Sequence, residues 1–270
     1  MLKTLKKWFF ILNYPKEWEG LLARSASKLD KTQIELQDHP WEWLHNQEDK
    51  NLCFLYALCK CEDFFKNQTA LGIPENILID TVQEIRRHTK KYIDQNGNEQ
   101  LGIFQIKWVG NVLSGRLFCL GRLEFEMTNA KTEIEKYGIK IGDRIINVHI
   151  PGTKTPIDRE SVDRSFSLAY DFFDKYFPSF DYKGFTCYSW LMDVTLRELL
   201  PGSSNIVGFL GRFDAVSSKE SDSALKHVFD RNATYENFEQ YTPKTSLQKA
   251  MIEHIRNGRK LYMTLGYKQK

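Results

Sequence analysis

The sequence predicts an α+β protein in two parts, a helical N-terminal domain over residues 1–115 followed by a mixed α/β sheet domain over 116–270. Up to residue 115 the apolar residues recur at intervals of three and four, the period of one helix face, and strand-like alternation is hard to find. From Arg116 the period shortens to two, and strand-like segments then alternate with helical ones. A chain of 270 residues, 41% hydrophobic and 27% charged, has the length and composition for one large or two ordinary globular domains.

In the first part, Pro15 and Pro40 each occupy a first helical position, ahead of Trp18, Leu21 and Leu22 in one case and Trp41, Trp43 and Leu44 in the other. Asp49 suits the start of a helix carrying Leu52, Leu55, Tyr56, Cys59 and Phe64, which Gly72-Ile73-Pro74 ends. Pro74 opens the next, with Ile77, Val82 and Ile85 inward and a basic cluster, Arg86, Arg87, Lys90 and Lys91, toward the end that the helix dipole favours. Gln95-Asn96-Gly97-Asn98 is a turn, and 103–113 reads as a further helix.

In the second part, Leu117, Cys119, Leu123, Phe125 and Met127 are spaced as one strand face, with Arg122, Glu124 and Glu126 on the other. The β-branched run 144–150 ends at Pro151-Gly152. Thr155-Pro156, with Asp158 three residues after the threonine, marks a capped helix whose stripe is Val162, Phe166, Ala169, Phe173 and Phe177. Residues 185–192 read as a strand, 195–200 as a short helix, 204–216 as a strand with glycine bulges, 245–256 as a helix and 260–267 as a closing strand.

Charge and cysteine content narrow the function classes. The net charge of +3 gives no strong field, so neither nucleic acid nor an anionic membrane is implied as a partner. Residues 1–115 hold 15 basic and 15 acidic side chains, so the excess lies in 116–270, and 241–270 alone has seven basic residues against Glu253. No apolar run approaches the roughly 20 residues that span a bilayer. The stretch Trp8-Phe9-Phe10-Ile11-Leu12 is too short for a signal peptide and lacks a small-residue cleavage site. Five cysteines, an odd number, read as reduced thiols, and the expectation is a cytoplasmic protein. No P-loop, Gly-x-Gly-x-x-Gly after a strand, His-Glu-x-x-His or Gly-x-Ser-x-Gly occurs. Cys59-Lys60-Cys61 is too close-spaced for a zinc knuckle and has no partner pair, so no metal site is expected.

Four blocks resemble a known family: Leu120-Gly-Arg-Leu-Glu-Phe-Glu126, Val148-His-Ile-Pro151, Cys187-Tyr-Ser-Trp-Leu-Met-Asp193 and Leu200-Pro-Gly-Ser-Ser-Asn-Ile206. Together, and in this order, they resemble bacterial acyltransferase-like proteins in which an all-helical N-terminal domain precedes a GNAT-like C-terminal domain. The resemblance covers nearly the whole chain. It implies acyl transfer from acyl-CoA, a co-substrate with no tightly bound cofactor, to an amine of unidentified nature; it says nothing of oligomeric state.

In the GNAT plan acyl-CoA lies between two central strands that splay apart, with its diphosphate at the loop and helix start after the first. The corresponding strand here ends at Ile150-Pro151, where proline favours the end of pairing, and Lys154, Thr155 and Arg159 lie at the helix start that follows. The chain departs from the plan in one respect. The glycine-rich signature Gln/Arg-x-x-Gly-x-Gly/Ala is missing, and Pro151-Gly152-Thr153-Lys154-Thr155 carries one glycine.

Acyl transfer to an amine needs a base, a donor to polarise the carbonyl and an acid for the leaving thiolate. Glu124 and Glu126, two apart on one strand face, are candidates for the base, or else form a solvated face beside Arg122. His149 is a second candidate base or a core histidine. Cys187 and Ser189 share a strand face, and either can serve as the leaving-group acid or, for the cysteine, as a nucleophile; a buried inert thiol is the plainer role. Tyr188 and Trp190, on the opposite face, read as packing. Two alternatives stay open: a cysteine-dependent acyltransferase or thioesterase using Cys187 with His149, and a non-catalytic binding protein on the same fold.

Overall fold

The structure, a computed structural model, describes every residue from Met1 to Lys270 except Lys154. The chain folds as two units, Met1–Leu120 and Gly121–Lys270.

The first unit is built from α1 (Leu2–Ile11), α2 (Glu19–Ser25), α3 (Lys31–Glu35), α4 (Pro40–His45), α5 (Asn51–Ala70), α6 (Glu75–Asn96) and α7 (Ile106–Leu113), and ends with β1 (Leu117–Leu120). The helix opened near Pro15 is broken: a 3₁₀ turn, Lys16–Trp18, precedes α2, and a second, Ala26–Lys28, follows it. The centre is α5, which buries Cys53 through Cys59 in succession, together with Cys61 and Phe64. A helix buried around most of its circumference needs partners on several sides. Among these, α1 sets Trp8 against Phe65 with ring centroids 4.8 Å apart and donates from Trp8 Nε1 to Glu62 (2.7 Å). β1 joins α6, where Thr81 Oγ1 accepts from the Cys119 backbone N–H (3.0 Å).

Within this unit lies a buried carboxylate. Glu84 on α6, 4% exposed, accepts from Trp108 Nε1 on α7 (2.7 Å), lies 3.2 Å from His88 Nε2 and pairs with Arg87 Nε. Burial by itself raises a carboxyl pKa; the His88 hydrogen bond, the Arg87 charge and the Trp108 N–H overcome it and bring Glu84 down to about 2.

The second unit contains β2 (Leu123–Asn129), β3 (Arg144–His149), α8 (Arg159–Tyr176), β4 (Gly184–Ser189), α9 (Leu196–Leu199), α10 (Asn205–Leu210), β5 (Asp214–Glu220), α11 (Ser223–Val228), α12 (Ser246–Arg256) and β6 (Tyr262–Gln269). Its strands lie in the order β2-β3-β4-β6-β5. β3 and β4 run parallel, and the remaining neighbours are antiparallel. α8 supplies the crossover that parallel pairing requires. It covers the face bearing Phe125 and Phe185, with Phe166 packed against both at centroid distances of 5.6 and 5.2 Å. Each such phenylalanine contributes roughly 1.5–3 kcal/mol by burial. A smaller core gathers α9, α11 and α12 around Leu196, Leu225, Met251 and Leu261.

Several local expectations shift. The strand expected over 204–216 is instead α10 followed by β5, because Phe209 and Leu210 are drawn into the core from a short segment whose apolar spacing fits either state. The strand expected over 185–192 stops at Ser189, whose Oγ accepts from the Leu191 N–H (3.1 Å) and opens the 3₁₀ turn Trp190–Met192. α8 is capped by Asp158 rather than Thr155: its Oδ1 accepts from the Ser161 N–H at 2.8 Å. α12 begins with a full capping box between Thr245 and Gln248.

The turn into β2 depends on Gly121. Its φ is +72°, and a Cβ there would meet Ser165 Oγ on α8 at 2.8 Å. Ser165 is fully buried and accepts from the Arg122 N–H at 2.8 Å, so it has little room to retreat. Gly121→Ala is therefore expected to lower stability by about 1–3 kcal/mol, read from the denaturant midpoint. Among the described residues no helix is long and apolar enough to cross a membrane, and no group of three or more His, Cys, Asp or Glu is placed to hold a metal ion.

Candidate active site

The register of three strands assembles a polar row on the sheet face opposite α8. Glu124 pairs with His149 and Glu126 with Asn147 across β2 and β3, and Asn147 pairs with Thr186 across β3 and β4. Side chains of directly opposed residues share a face, and so do residues two apart on one strand. Glu124, Glu126, Asn147, His149, Thr186 and Tyr188 therefore project the same way.

The row is hydrogen-bonded. His149 Nε2 and Glu126 Oε2 are 2.9 Å apart, Asn147 Nδ2 lies 3.2 Å from the same ring nitrogen, and Thr186 Oγ1 donates to Asn147 Oδ1 at 3.2 Å. Nε2 donates to Glu126 when it carries a proton and accepts from Asn147 Nδ2 when it does not, so the ring has a partner in either tautomer. Glu126 and His149 are shielded but not sealed, their side chains 14% and 25% exposed. Glu124 is buried at 1%. A carboxylate holding an imidazole in one orientation is an arrangement able to take a proton from a nucleophile.

The β3–β4 ladder ends beside this row. Among the described residues the β3–β4 ladder consists of Ile146 with Phe185 and Asn147 with Thr186, and it stops short of His149. Beyond the ladder's end, Tyr188, two residues on from Thr186 on the same face, is 53% exposed. Beyond β3 the chain turns through Ile150 and the buried Pro151, whose carbonyl accepts from the Thr153 N–H (2.8 Å). Thr155 is exposed, and Arg159 opens α8 with its side chain 92% exposed, 3.6 Å from Asp163. Lys154 lies outside the described residues.

Residues 117–268, more than half of the chain, match the GNAT-like C-terminal domain family. The chain belongs to that family. No curated protein matches the sequence. Among solved structures, the chain is similar to a mutant acyltransferase in complex with octanoyl-CoA: TM-score 0.76, 20% identity, covering 99% of this chain and 88% of that one. An acyltransferase in complex with decanoyl-CoA and teicoplanin gives 0.75 at 20% identity, over 98% and 87%. An acyltransferase in complex with decanoyl-CoA gives 0.70 at 18%, over 98% and 99%. These likenesses speak for the fold, a helical region followed by the mixed sheet.

Within the GNAT-like domain the sequence candidates separate into two groups. Glu124, Glu126 and His149 come together on the open face. Cys187 and Ser189 lie on the other: Cys187 follows Phe185 on the α8-covered side, 1% exposed, and burial pushes its thiol up to about 12. Ser189 is occupied in capping the turn after β4. The pairing of Cys187 with His149 that a cysteine mechanism needs is thus not formed, because the pleat sends the two side chains to opposite faces. Cys187→Ala is expected to retain full turnover, and the native thiol to resist iodoacetamide; rapid alkylation with loss of activity would contradict this placement.

Sequence reasoning passes over Asn147 and Thr186, and Tyr188, which it reads as packing, is instead exposed. Alternation along 184–189 places Thr186 and Tyr188 on one face. Only the β3–β4 register reveals that it is the face of His149.

Proposed function

We propose that this chain transfers an acyl group from acyl-CoA to an amine, with His149 as general base and Glu126 as the group that orients it. The reading is carried by one observation, the Glu126–His149 pair beside the point where the parallel β3–β4 ladder stops. The acyl-CoA complexes of similar folds support it. In the reaction the amine lone pair attacks the thioester carbonyl; the C–N bond forms, the C–S bond breaks, and the amine proton passes to the His149 imidazole. The leaving thiolate takes a proton from the phenol of Tyr188, on the same sheet face as His149.

CoA would run over Ile150, Pro151 and Thr155 toward Arg159. The free energy of that diphosphate contact is tempered by Asp158, whose own carboxylate already satisfies the Ser161 N–H at the helix start. As acceptor, an amine on a molecule larger than a small metabolite is supported by the neighbour that holds teicoplanin together with decanoyl-CoA.

The test is calorimetric titration with CoA and octanoyl-CoA, followed by thiol release from octanoyl-CoA against a panel of amines. Binding with amine-dependent thiol release is the expected result. The missing glycine signature favours a second reading, a binder without chemistry. Binding without release under every amine would point there, and no binding of either ligand would remove acyl-CoA from the account.

A further inference from the structure

The loop after β3 has one glycine where the GNAT plan uses several, and a side chain from another strand turn holds it instead. Arg122 donates from Nε to the Thr155 carbonyl (2.8 Å) and from Nη1 to the Pro151 carbonyl (3.0 Å). The two carbonyls bracket the loop. Pro151 O also accepts from the Thr153 N–H, so both of its lone pairs are engaged. The arginine is itself seated: its backbone N–H donates to Ser165 Oγ, which donates onward to the Ser161 carbonyl in the first turn of α8. Gly121, with positive φ and no Cβ, allows that approach. One connected set of hydrogen bonds thus ties the Pro151 and Thr155 carbonyls, the start of α8 and a guanidinium to each other.

We propose that Arg122 is the positioning residue of the diphosphate-binding loop, doing with a side chain what extra glycines do with backbone; the inference rests on the acyl-CoA reading above. A glycine-rich loop works because its N–H groups can turn toward phosphate and its carbonyls away. Here Pro151 has no N–H to offer, and carbonyls left facing the ligand would repel it. Arg122 withdraws two of them into hydrogen bonds and places a positive charge beside the loop. The planar fork matters as much as the charge, because a guanidinium can reach two carbonyls from fixed directions and an ammonium is a single point.

The probes are CoA itself by calorimetry and hydrogen exchange of residues 151–158. Arg122→Gln is expected to weaken CoA binding at least tenfold and to raise exchange in the loop. Arg122→Lys, which keeps the charge, is expected to recover less than half of that loss on a logarithmic scale. Ser165→Ala, which keeps the arginine but removes the hydroxyl that holds its backbone N–H, is expected to shift both readouts in the same direction by a smaller factor and serves if Arg122→Gln does not fold. Full recovery in Arg122→Lys would show that charge alone matters and overturn the proposal. So would wild-type affinity in Arg122→Gln, or in Ser165→Ala where the glutamine variant does not fold. Failure of the wild-type protein to bind CoA would instead overturn the acyl-CoA reading.

Discussion

His149→Gln is expected to slow amine-dependent thiol release from octanoyl-CoA by about 10²- to 10⁴-fold, the range for losing a general base, with a melting temperature close to that of the wild type. The ring is partly exposed and lies past the end of the β3–β4 ladder, so its replacement leaves the core under α8 untouched. Glu126→Gln is expected to cost less, because an amide can still meet the ring while losing the negative charge that stabilises the imidazolium. A His149 variant that folds and turns over normally would place the base elsewhere, with buried Glu124 the next candidate on the same face.

Glu84→Leu is expected to lower the stability of the helical unit by about 1–3 kcal/mol, because it removes the buried carboxylate that takes the Trp108 N–H and pairs with the partly exposed Arg87. The same carboxylate gives that unit an acid dependence whose sign is fixed. Its folded pKa lies below the ordinary value, so its stabilisation is present above about 4.5 and is lost as pH falls toward 2. Midpoints of denaturant unfolding between pH 7 and 2, compared for wild type and variant, check both statements. The wild-type curve should fall faster in acid, and parallel curves would exclude Glu84 as a contributor.

The change of period near residue 116 is visible because helices and strands bury their apolar residues at different intervals, and a stripe such as Val162, Phe166, Ala169 and Phe173 admits one interpretation. The 204–216 stretch is ambiguous for the same reason in reverse: six residues around Ile206, Phe209 and Leu210 are too few for a period to declare itself. Of the candidate site, the shared face of Glu124 and Glu126 follows from their spacing. Their conjunction with His149 depends on antiparallel register, and that of Thr186 and Tyr188 on a parallel crossover through α8. Neither is written in local sequence. The Arg122 contacts span 29 and 33 residues and end on backbone carbonyls, atoms that carry no mark of residue type.

The strand order has a consequence for assembly. β6, at residues Tyr262–Gln269, lies between β4 and β5, pairing with both. Once made, β4 therefore keeps its outer edge bare and β5 has no strand beside it until β6 has followed them. Tyr267, which donates to the Lys183 carbonyl and packs at a tilt against Tyr137, arrives only with β6. Closing the sheet thus waits on a pairing with β4 more than 70 residues back in the chain, the kind of non-local contact that slows folding and leaves strand edges open to association in the meantime.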